Sequence, residues 1–182
     1  MAGIITIQKI GITKLRTDAI VDAVSDGRRA GGGVCGLLFG ETGYEKSAVA
    51  HQDMGGGKVG NAVITPGFEL PARYILHIVS PVWCGGDQNE ERLLCGVYQQ
   101  SLLLARQSGW HSIGFPLISS GIYGYPKDLA WRAAIQACRD FIAENPDYDI
   151  QIIFAVPERS VREMGEKMLM ELSQLELPQS EG

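Results

Sequence analysis

FPLISSGIYGYP, Phe115 to Pro126, is the stretch on which the fold of this chain turns. Ile113, Phe115, Leu117 and Ile118 have the apolar character of a buried strand. Gly121 and Gly124 lack Cβ atoms where the chain must turn or let another group come close. Pro126 suits a first helical position, where its missing N–H costs little. Strand, glycine loop and helix start in that order aim free backbone N–H groups and a positive helix end at one spot, which suits an anion such as phosphate. An ordinary strand–helix turn fits the same twelve residues, so the stretch has to be weighed with its neighbours.

A second stretch tips the balance. DAIVDAV, Asp18 to Val24, reads as another buried strand, and SDGRRAGGGVCG, Ser25 to Gly36, follows it. Three consecutive glycines, Gly31, Gly32 and Gly33, are costly inside a packed element. They suit a backbone with unusual dihedrals or one that lies against a ligand. Two such loops, each after a strand, point to a crevice at the strand ends of an α/β sheet, and a ligand with two phosphates would use both. Neither loop holds the P-loop lysine, so a P-loop reading is unsupported.

The rest of the chain fits an interleaved α/β order. Strands are expected at Ile4 to Ile10, Asp18 to Val24, up to Pro66, Arg73 to Val79, Ser112 to Ile118 and Asp149 to Val156. Short helices are expected over 33–40 and to about His51, with Thr42 and Glu45 as a capping box. The clearest helical period runs over 89–108: Leu93, Leu94, Val97, Ser101, Leu104 and Ala105 share a face, with Asn89 as the cap. A further helix from Pro126 to about Ala143 turns Leu129, Ala133, Ile135, Ala137 and Phe141 inward, and a last one covers 158–175. The expected class is α/β, with helices on both faces of a mixed, largely parallel sheet.

Composition narrows the function. The 182 residues suffice for one domain, expected over 1–175, with 176–182 as a frayed tail. A net charge of −5 argues against nucleic acid as the partner. No apolar run approaches the roughly 20 residues of a membrane span, and MAGIITIQKIG lacks a signal-peptide pattern. Cys35, Cys84, Cys95 and Cys138 show no C-x-x-C spacing, and His51, His77 and His111 stand far apart. No metal or cofactor is expected, and a reducing cytoplasm suits such cysteines.

These pieces resemble the macro domain, the ADP-ribose-binding module, over about residues 3–157. ITKLRTDAIVDAV, AGGGVCG, VGNAVITPGFELPARYILHIVSPVW, YQQSLLLA and IGFPLISSGIYGYP are similar to the family's motifs and follow in family order. The resemblance implies a three-layer α/β/α sandwich with ADP-ribose, or a related nucleoside diphosphate, in a crest at the strand ends. The ligand could be free or carried on an ADP-ribosylated protein. The diphosphate would sit between Gly31, Gly32, Gly33 and Val34 on one side and Ser119, Ser120, Gly121, Ile122, Tyr123 and Gly124 on the other. Tyr123 would pack on the distal ribose, or simply beside the helix.

The resemblance also marks departures. Family members commonly carry an Asp that recognises the adenine amine; here Gly11 stands in that place, beside Ile12. Hydrolytic members resemble one another in an Asn-Ala-Ala-Asn strand end, which here is Asp22-Ala23-Val24-Ser25, and in an acidic residue where this chain has Cys35. The implied activity is hydrolysis of ADP-ribosyl esters such as O-acetyl-ADP-ribose, with a water near Asp22, Ser25 and Cys35. Two readings stand for each departure. Cys35 is a replacement nucleophile or base, or a small buried apolar residue. Asp22 orients a hydroxyl or water, or caps a turn or pairs with Arg28 or Arg29. Arg28 and Arg29 clamp an anion or form a solvated face. A non-catalytic ADP-ribose reader and a crest for another phosphorylated ligand or a protein partner are the alternatives. His77 reads as a hydrogen-bonded core residue.

Overall fold

The computed structural model describes residues 3–24, 59–67, 69–81, 85–86, 89–119 and 125–175. Six strands form one sheet: β1 (Ile4–Gln8), β2 (Ala19–Val24), β3 (Ala62–Pro66), β4 (Tyr74–Val79), β5 (Ser112–Phe115) and β6 (Gln151–Ala155). Their order is β1-β6-β5-β2-β4-β3. Every neighbouring pair is parallel except β3 and β4, which run antiparallel. The central strands β2 and β4 are apolar almost throughout because both of their faces are covered. The edge strand β1 is exposed at alternate positions. β5 is shorter than the expected 112–118: it ends at Phe115, and Pro116 next to it has no N–H to give a ladder. Leu117 and Ile118 are buried all the same.

Three α-helices are seen among the described residues: α1 (Glu90–Gln107), α2 (Lys127–Glu144) and α3 (Arg159–Leu175). All three join one core with one face of the sheet, where Val21, Leu76, Phe115 and Phe154 meet Tyr98 of α1, Trp131 of α2 and Val161 of α3. The inward face of α1 is Leu94, Val97, Tyr98, Ser101, Leu102 and Ala105, an i, i+3, i+4, i+7, i+8, i+11 stripe. Leu93, expected inward, lies one residue off that stripe and is exposed; Leu129 of α2 is exposed for the same reason, beside buried Ala130 and Trp131. Asn89 is the N-cap of α1 in a left-handed conformation (φ 60°), with no side-chain cap bond. Pro126 is the N-cap of α2 rather than its first helical residue, since its ψ of 132° is extended.

Glycines set two close approaches. A Cβ on Gly165 of α3 would lie 2.5 Å from the Trp131 ring, so only glycine lets α3 settle there. The indole Nε1–H then donates to the Val161 carbonyl at 3.0 Å. A Cβ on Gly114 of β5 would lie 2.5 Å from Leu15 Cδ1. Leu15 belongs to a second core on the opposite face of the sheet, with Ile12, Ile20, Ala72 and Ile75. The short helices expected over 33–51 lie outside the described residues. The architecture is the expected α/β sandwich on a mixed, largely parallel sheet.

Candidate functional site at the carboxyl ends of the strands

Because β1, β6, β5, β2 and β4 run parallel, their carboxyl ends lie along one edge of the sheet. From that edge leave the segments that contain Gly11, the Gly31–Gly33 run, and the loop between Ser119 and Tyr125. In parallel α/β sheets this edge is where ligands bind. Four strand steps from β1 to β4 span roughly 19 Å.

The ends of the 120–124 loop are held tightly. Tyr125 N–H donates to the Ser119 carbonyl at 2.9 Å, which fixes the two ends to each other. Ser119 is one of two non-glycine residues with positive φ among the described residues, at 66°. It is buried, and its hydroxyl donates to the Pro81 carbonyl at 2.6 Å. One residue earlier, Ile118 N–H donates to the Tyr98 hydroxyl at 3.0 Å, and that hydroxyl donates to the Pro116 carbonyl at 3.4 Å. Burial holds the Tyr98 hydroxyl well above its usual pKa, so it stays a neutral group that can donate and accept at once. Immediately beyond Tyr125, α2 starts at Pro126, an N-cap residue that makes no side-chain cap bond. Its first N–H groups have no intrahelical acceptor, and its positive end favours an anion.

At the centre of the edge, Ser80 N–H donates to the Val24 carbonyl at 2.8 Å, joining the exits of β4 and β2. Deeper in, the β2–β4 register places Asp22 opposite His77. Asp22 Oδ2 accepts from His77 Nδ1 at 2.8 Å, and Thr65 Oγ1 lies 2.9 Å from His77 Nε2. All three side chains are buried. Asp22 therefore holds an imidazole within the sheet. His77 is the hydrogen-bonded core residue expected of it. Thr65 was not singled out in the sequence, and only the β3–β4 pairing brings it in.

Gly11 and Ile12 lie at the carboxyl end of β1, on the same edge. Gly11 has an ordinary φ of −69°, and a Cβ there would meet only Lys14 Cγ, at 3.9 Å. Ile12 turns its side chain into the second core, so only its backbone is available to a ligand. Ser25, Gly31, Gly32, Gly33, Val34, Cys35, Ser120, Gly121, Ile122, Tyr123 and Gly124, with Arg28 and Arg29, lie outside the described residues.

A groove of about 520 Å³ opens at the opposite edge, among Arg16, Asp18, Glu69, Arg73 and Ser112. Two of its lining residues are bonded there: Ser112 Oγ accepts from Asp18 N–H, and Asp18 Oδ2 accepts from His111 N–H, both at 2.7 Å. Among the described residues no three His, Cys, Asp or Glu side chains gather as metal ligands. Burial raises the thiol pKa of both Cys95 and Cys138, which leaves them un-ionised packing residues.

Comparison with known proteins bears on this edge. The sequence profile of the macro domain matches residues 21–134. The chain is 39% identical over 149 residues to a Cronobacter turicensis protein named O-acetyl-ADP-ribose deacetylase, covering 80% of this chain and 85% of that one. It is similar to the solved structure of an Oceanobacillus iheyensis macrodomain with ADP, at a TM-score of 0.86 and 32% identity, covering 93% of this chain and 91% of that one. It is also similar to a Trypanosoma brucei macrodomain in complex with ADP-ribose, at a TM-score of 0.80 and 33% identity, covering 90% of this chain and 68% of that one.

Proposed function

Since the chain belongs to the macro domain family, we propose that it binds ADP-ribose, or a related nucleoside diphosphate, along the carboxyl edge of its sheet. The observation that carries this reading is the joining of the β2, β4 and β5 exits by Ser80, Pro81 and Ser119, from which both glycine-rich segments depart. A chain of net charge −5 has no general attraction for a diphosphate. Local dipoles must supply it: main-chain N–H groups of the glycine-rich segments and the uncapped start of α2. The adenine end would rest near Gly11, which offers no carboxylate to the exocyclic amine. Titration calorimetry with ADP-ribose, ADP and AMP tests the reading. Saturable heat with one site, tighter for ADP-ribose than for AMP, is expected; no heat with any of the three overturns it.

The relative named as a deacetylase favours a second reading on the same site, hydrolysis of O-acetyl-ADP-ribose. Water would add to the ester carbonyl, the C–O bond to the ribose would break, and acetate and ADP-ribose would leave. Backbone N–H groups would stabilise the tetrahedral oxyanion, with Ser25 and Cys35 positioning or activating the water. Following acetate release separates this reading from that of a non-catalytic reader, which gives heat but no acetate. Where acetate appears, Cys35→Ala abolishes turnover if the thiol takes part; an unchanged rate removes Cys35 from the chemistry. An ADP-ribosylated protein is the second substrate to assay.

A further inference from the structure

Ser119 occupies a backbone conformation that a non-glycine residue rarely adopts, with φ at 66°. Such a residue persists where its surroundings over-determine it, and here they do. Its carbonyl takes the Tyr125 N–H at 2.9 Å, and its buried hydroxyl gives its proton to Pro81 O at 2.6 Å. Pro81 follows Ser80, whose N–H is bonded to Val24 O at 2.8 Å. Val24 is the last residue of β2 and the point from which the chain runs on towards Gly31–Gly33. A continuous path therefore runs from the start of one glycine-rich segment, through Ser80 and Pro81, to the start of the other. The Ser119 hydroxyl is its side-chain link.

We propose that Ser119 Oγ is a positioning group. It sets the distance and angle between the exits of β4 and β5, and through them the affinity of this edge for ADP-ribose. The hydroxyl itself faces inward and touches no ligand. This inference rests on the ADP-ribose reading above. Without the tie, the ligand must order the second departure point on binding, and affinity falls by the cost of that ordering.

Two variants separate the hydroxyl from the backbone. Ser119→Gly removes the hydroxyl while relieving the left-handed strain; Ser119→Ala removes the hydroxyl and keeps the strain. The proposal expects both to lose ADP-ribose affinity alike, by about tenfold in calorimetry, the order of one hydrogen bond. Their melting temperatures without ligand should diverge, with the Gly variant at or above the unaltered protein and the Ala variant below it. A Gly variant that binds like the unaltered protein overturns the proposal. So does affinity that simply follows melting temperature across the two variants, since that is the behaviour of a merely structural residue. No heat from the unaltered protein overturns the ADP-ribose reading itself, and is distinguished by that.

Discussion

At the amino edge of the sheet the chain is stitched together by side chains; at the carboxyl edge main-chain carbonyls meet a few buried hydroxyls. The amino edge has Ser112 Oγ accepting from Asp18 N–H, Asp18 accepting from His111 N–H, His111 Nδ1 bonded to the Asp149 carbonyl, and Tyr148 donating to the Trp110 carbonyl. Arg106 adds an ion pair to Asp147 at 3.0 Å. These links join segments far apart in sequence, between residues none of which has a positive φ. The carboxyl edge has the strained Ser119, the Tyr98 hydroxyl between two backbone groups, and an uncapped helix start. Strain concentrates where function needs geometry that ordinary capping does not give. The comparison sets side-chain links at one edge against a strained serine at the other, and substitutions can break or sharpen it.

The largest effect should come from beneath the carboxyl edge. Asp22→Ala leaves His77 Nδ1 without its buried acceptor and should cost about 3 kcal/mol of unfolding free energy in urea titration. A loss below about 1 kcal/mol would show that the pair adds nothing to the frame. Next, Gly11→Asp adds a side chain where the backbone is unstrained and there is room for a Cβ. ADP-ribose affinity should rise between about 2- and 10-fold, the worth of one hydrogen bond to the adenine amine, with melting temperature unchanged. Equal affinity would move the base away from the β1 end.

At the amino edge, Ser112→Ala removes the acceptor of Asp18 N–H and should cost about 1 kcal/mol of stability with no change in ADP-ribose affinity. A parallel fall in affinity would dissolve the division between the edges. The smallest effect belongs to Asp147. Hydrogen bonds from Arg106 hold its carboxyl below the usual carboxylate value. A folded pKa below the unfolded one gives stability at neutral pH that is lost as pH falls through the folded pKa. Asp147→Asn should therefore lower the melting temperature slightly at pH 7 and not at all once the carboxylate is protonated. A difference that persists in acid would assign the effect to something other than charge.

Much of this division was legible in the residues. The apolar runs of β2, β4 and β6 and the long period of α1 are strong one-dimensional signals, and they place the strand exits correctly. What escaped depends on register and on angle. Leu93 and Leu129 look inward on a loose helical wheel, and only tertiary packing selects the stripe one residue over. The Asp22–His77–Thr65 chain needs the β2–β4 and β3–β4 registers, which no local pattern encodes. Ser119 was legible as part of a phosphate-loop motif, but the inward turn of its hydroxyl follows from a left-handed φ that sequence does not announce at a serine.

Gly114 has a consequence that reaches beyond β5. With no side chain there, Leu15 lies down on the strand and closes the short turn that begins at Gly11. The floor of the sheet and the turn that follows β1 thus share one volume. Enlarging residue 114 would lift that turn, and trimming residue 15 in compensation would lower it again. If the base rests near Gly11 as proposed, residues 114 and 15 are a pair of levers on base preference that never touch the base.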